Sequence, residues 1–172
     1  MAETVAIEFT APSGEPLRVE WPAEALGGAA PDVARSSRAW RLEGEIDWDQ
    51  IEALRVLAAG LGDGDAIALA ALRPAGAAGH GEELVAALLI ADGAAEEISE
   101  ALLSTEYGPD GRPRRVGLEL YRADDPIPLR VAADVTDSQV EREGGVTDVR
   151  ATLDVRRDGK SAAGVFEILT PA

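Results

Sequence analysis

The chain has 172 residues, with 32 acidic against 16 basic side chains and a net charge of −16. Binding to phosphate needs a basic surface, so this balance argues against nucleic acid as a partner and, by the same physics, against an anionic membrane. Hydrophobic residues make up 46%, enough for a real core, and the length suits one antiparallel β domain over residues 1–172.

Aromatic residues are only 4%, so the core must be built from small and aliphatic side chains. All bases except Lys160 are arginine, a usage that fits either a GC-rich genome or salt adaptation. There is no cysteine, which excludes disulfides, thiolate metal sites and cysteine catalysis. Residues 1–10 carry no basic region and no apolar run of signal-peptide length, and the longest apolar run, Leu84 to Ala91, is too short to span a bilayer. A soluble cytoplasmic protein is expected.

In chain order, Val5, Ile7 and Phe9 alternate on one side of a first strand. Pro12, Ser13 and Gly14 turn the chain, and Leu17, Val19 and Trp21 alternate again, so the two runs form a hairpin. Residues 22–37, rich in Ala, Gly, Pro and Ser, read as a surface connection with a short helical turn near Pro22 to Ala25. Trp40, Leu42, Gly44 and Ile46 share a face of a third strand. Asp47 followed by Gln50 has capping-box spacing, and Ile51, Leu54, Leu57 and Ala58 form an apolar stripe. Together they predict one helix near 47–60, ended by Gly60 and Gly62.

Ala66 to Arg73 and Glu83 to Asp92 are aliphatic without clean alternation, as strands buried on both faces would be; an Ala-rich helix stays open for the second. The clearest structural statement is Ile98 to Tyr121. Gly108, Pro109, Asp110 and Gly111 make a turn between two runs of period 2. Tyr107 opposite Arg114 sets Leu103 against Leu118, Ala101 against Leu120 and Glu106 against Arg115. Further alternating runs follow at Ile127 to Val135, Val149 to Val155 and Ala162 to Leu169. About ten strands with this spacing predict a mainly β fold, an antiparallel meander closing into a barrel or a β-sandwich.

Chemistry-bearing residues are few. His80, the only histidine, sits in Gly79-His80-Gly81-Glu82-Glu83, where imidazole beside carboxylate suits proton transfer. The acid pairs Glu82-Glu83, Glu96-Glu97 and Asp124-Asp125 would suit acid–base work only if burial split their pKa values. Trp40, Tyr107 and Tyr121, on strands, are candidates to line a cavity with His80 and Glu82. No phosphate-binding glycine loop, nucleophile elbow, HExxH or EF-hand loop is present, and no metal or cofactor is called for.

The stretch LSTEYGPDGRPRRVGLELYRADDPIPLRVAADV and the closing strand AAGVFEIL, within Leu102 to Leu169, resemble the C-terminal strands of lipocalin-like β-barrels of the carotenoid hydratase and AttH group. The resemblance implies an up-and-down barrel with an interior cavity for an apolar molecule. That superfamily holds both ligand binders and enzymes, often with two barrels where this chain has room for one. None of its catalytic positions carries over. Three classes therefore stand open: a binding module for an apolar small molecule; a non-catalytic interaction protein, self-assembling through an edge strand such as Ala162 to Leu169; and an enzyme using His80 with a nearby carboxylate.

Overall fold

The computed structural model describes residues 4–22, 26, 40–78, 82–92 and 94–172. It is nearly all β, with 72% of the described residues in strands and 1% in helix. The strands are β1 (Thr4–Thr10), β2 (Pro16–Pro22), β3 (Arg41–Glu43), β4 (Ile51–Gly62), β5 (Asp65–Pro74) and β6 (Leu84–Ala91). They continue with β7 (Ala94–Glu97), β8 (Glu100–Tyr107), β9 (Pro113–Tyr121), β10 (Leu129–Glu143), β11 (Val146–Arg157) and β12 (Lys160–Pro171). β1, β2 and β3 make a small sheet. The other nine form one antiparallel sheet in the order β7, β6, β5, β4, β12, β11, β10, β9, β8, curled strongly into a half-barrel.

The curl follows from the chain itself. β7 and β8 end the sheet on opposite sides, yet only Ile98 and Ser99 separate them in sequence. The two ends must therefore meet. Ile98 N–H donates to Ala87 C=O of β6 at 3.1 Å, and Ser99 N–H donates to Tyr121 C=O of β9 at 2.9 Å. Among the described residues no ladder joins β6 to β8, so they meet along a seam.

The inner face carries one core, with Leu57, Leu69, Leu103, Leu118, Leu153 and Phe166 among its buried members. A second core lies on the outer face of β4, β5 and β6, where Phe9, Leu17, Val19 and Trp21 of the small sheet cover Leu54, Val56, Ala68 and Leu72. β4 and β5 are thus buried on both sides, which is why their sequences run apolar without alternation. A fully buried leucine contributes about 1.5–3 kcal/mol, so these two strands hold both cores together.

This double burial replaces the helix expected near 47–60. Asp47 does open a turn: Gln50 and Ile51 N–H both donate to its C=O at 3.0 Å, and Asp49 N–H donates to its Oδ1 at 3.0 Å. One turn is all it makes. The chain then extends as β4, with Leu54 and Val56 facing the small sheet and Leu57, Ala59 and Leu61 facing the barrel interior. A strand apolar on both faces satisfies the helical spacing by accident.

The 98–121 hairpin has the expected register, Ala101 to Leu120, Leu103 to Leu118 and Glu106 to Arg115, with a shift at its tip that pairs Tyr107 with Pro113. Gly111 takes φ 77°, its N–H donates to Gly108 C=O at 3.0 Å, and Asp110 Oδ1 accepts from Arg112 N–H at 3.1 Å. The strand expected to begin at Ile127 starts at Leu129 and runs to Glu143. A bulge between Val135 and Asp137 reverses its phase, so Ser138 and Val140 take over the positions of Ala133 and Val135. The expected edge strand, Ala162 to Leu169, is instead central: β12 is paired with β11 on one side and β4 on the other. The connection expected over residues 22–37 lies largely outside the described residues.

Candidate functional site

A cavity of about 790 Å³ opens at the β6–β8 seam. Val85, Ala101, Leu103, Leu118 and Val131 line it from the inner face. Leu102, Ser104, Gly117 and Ala132 line it from the outer face, so it reaches round β8, the end strand of the sheet. Ser104, Gly117, Ala132 and Arg156 stand opposite one another on four successive strands. Three small residues in register, Ser104, Gly117 and Ala132, form a shallow floor, flanked by the Glu119–Arg130 ion pair at 3.2 Å. Arg157, at the end of β11, and Asp158, in the β11–β12 turn, complete the rim.

One ion pair is buried beside this space. Arg55 of β4 shares the inner face with Leu57, and Glu83 just precedes β6 on the same face as Val85. Arg55 Nε donates to Glu83 Oε1 at 3.1 Å, and Arg55 Nη2 donates to the same oxygen. Arg55 Nη1 donates to Thr105 Oγ1 of β8 at 2.9 Å. The Arg55 side chain is 8% exposed and that of Glu83 1%. The cluster ties β4, β6 and β8 together across the seam. Glu83 also lines the cavity.

The residues singled out from sequence are dispersed. Trp40 lies in the second core, where its Nε1 donates to Glu167 Oε1 at 3.0 Å. Glu167, 1% exposed, also faces Arg150 at 3.7 Å, and Arg150 holds Asp148 at 3.1 Å. Burial pulls the Arg150 guanidinium down, but the charges of Glu167 and Asp148 outweigh it and raise it above its usual value. This group cements the small sheet to the barrel. Glu82 is exposed and accepts from Ala78 N–H at 2.6 Å. Tyr107, 49% exposed, ends β8. Tyr121 donates to Glu119 Oε2 at 3.3 Å; burial first, then the Glu119 charge, raises its phenol above 10. None of these four lines the cavity, and His80 lies outside the described residues.

Sequence reading did not bring together Arg55, Glu83 and Thr105, the buried polar cluster at the seam. The available signal was Arg55, a lone charge inside the aliphatic run Leu54 to Leu61, where an unpaired charge would be costly. Fold and cavity define a mainly β chain whose curled half-barrel keeps open space at its seam. The chain matches no protein-family model and no curated protein.

Proposed function

We propose that this protein is a binding module for a small apolar molecule held in the seam cavity. The observation that carries the reading is the combination of space and lining: about 790 Å³ at the seam, where Val85, Leu102, Leu103, Leu118 and Val131 supply apolar surface and charged residues such as Glu100, Arg130 and Arg157 stand beside them. Ligand sites commonly take this form. The resemblance of residues 102–169 to lipocalin-like barrels agrees with it, and the acidic, cysteine-free composition supports a cytoplasmic setting. The test is native mass spectrometry of freshly purified protein, followed by thermal unfolding with added fatty alcohols, retinoids and carotenoids. A retained small molecule or a concentration-dependent rise in Tm is the expected result. A ligand-free mass together with an unchanged Tm across the panel would reject it.

A further inference from the structure

We infer that the free edge of β8 takes up an extended basic peptide segment of another protein as an added strand, an inference that does not depend on an apolar ligand. β8 ends the sheet, and among the described residues only β9 pairs with it. Ile98 N–H donates to Ala87 C=O, and Leu88 faces Glu97. Continuing that register sets Leu84 opposite Ala101, so Leu102 to Tyr107 run past the start of β6. The open space at the seam lies along this edge, where six consecutive residues, Ser99 to Ser104, line it. A space over one face of a strand meets only alternate residues. Contact with every residue therefore places it at the edge, with room on both faces. Along such an edge alternate backbone N–H and C=O groups point away from the neighbouring strand, the template on which an extended peptide is added.

Charge sets the kind of strand. Residues 74–111, the stretch that carries β6, β7 and β8, contain eight acids and no lysine or arginine. Glu100 and Glu106 are exposed on the outer face of β8, with Leu102 and Ser104 between them. Arg115 of β9 comes no nearer than 3.9 Å to Glu106 and is held by Asp134 at 3.1 Å. Leu84, Leu102 and Tyr107, at 40%, 42% and 49% exposed, leave large apolar side chains open at the same edge. Like charges directly opposite each other on paired strands are destabilising, and opposite charges and apolar pairs are favourable. The complementary strand therefore carries lysine or arginine opposite Glu100 and Glu106 and aliphatic residues between them.

The probe is a fluorescent, end-capped peptide, Lys-Thr-Thr-Val-Leu-Val-Lys, which set antiparallel to β8 brings its lysines opposite Glu106 and Glu100. Anisotropy titration at low salt should show saturable binding to the wild-type protein, about tenfold tighter than that of the same peptide with glutamate for both lysines. Glu100→Gln/Glu106→Gln, at two exposed positions, should remove most of that preference. Methylating alternate backbone nitrogens of the peptide separates an added strand from a peptide held by charge alone. In one phase the methyl groups fall on the hydrogen bonds to β8 and binding is lost; in the other they face away and binding survives. Hydrogen exchange should slow at residues 100–107 when the peptide is present. Failure of the lysine peptide to bind overturns the proposal. So do equal affinities for the lysine and glutamate peptides, the same response to both methylation phases, or unchanged exchange in β8. None of these outcomes bears on the ligand-binding reading, which native mass spectrometry tests separately.

Discussion

At the scale of single residues, the molecule places charge where it is costly and glycine where nothing else fits. Breaking the buried Arg55–Glu83 pair from one side leaves an uncompensated charge. Arg55→Met alone should therefore cost about 3–5 kcal/mol in urea unfolding, with much of the loss recovered when Glu83→Leu is added. An additive double variant would contradict that coupling. Gly164 of β12 faces Ala59 of β4, and a Cβ there would lie 2.7 Å from the Ala59 Cβ and 3.0 Å from the Ala58 carbonyl oxygen. Backbone cannot yield as a flexible side chain can, so Gly164→Ala should destabilise by about 1–3 kcal/mol. An unchanged urea midpoint would show that β4 and β12 can move apart freely. Glu20 presents the pH-dependent case. The hydrogen bond from Arg18, then the Arg18 and Arg41 charges, holds its carboxyl below the ordinary 4.5. A depressed folded pKa gives stability that is present above the unfolded value and lost as pH falls through the folded one. The urea midpoint should thus fall on acidification below 4.5, and Glu20→Gln should flatten that part of the profile; an identical profile would remove Glu20 from the account.

At the scale of elements, legibility followed from how many faces a strand buries. The 98–121 hairpin was readable because one face is wet and one dry, so Leu103 and Leu118 mark the register by alternation alone. β4 was not, because Leu54 and Val56 serve one core while Leu57 and Ala59 serve the other, and the resulting run mimics a helical stripe. The bulge after Val135 hid the second half of β10 by reversing the phase of its inward positions. Of the seam cluster, Glu83 was visible only as one of several acid pairs, since its partner Arg55 is distant in sequence. The sheet's ends show a further device. β7 carries exposed Glu96 and Glu97, and β8 carries exposed Glu100 and Glu106. Like charges on an edge oppose pairing with a second copy. Light scattering after size exclusion should find a monomer at neutral pH, and Glu100→Thr/Glu106→Thr should promote association. A wild-type dimer dissolved by proline in β8 would show instead that this edge is an assembly surface.

At the scale of the whole molecule, a single sheet curls into a half-barrel because β7 and β8 are adjacent in sequence and opposite in the sheet. The small sheet thickens the wall made by β4, β5 and β6, while the seam between β6 and β8 has no ladder among the described residues and has about 790 Å³ of open space beside it. Burial of an apolar molecule in that space should give a negative heat-capacity change, the robust mark of apolar surface leaving water. Calorimetric titration of decanol at several temperatures, into wild-type protein and into Leu118→Trp, which fills the cavity from β9, is the most direct measurement. One-to-one binding with negative ΔCp in the wild type, lost in the folded variant, is the predicted result. No heat of binding in the wild type, or a titration curve that Leu118→Trp leaves unaltered, would contradict it.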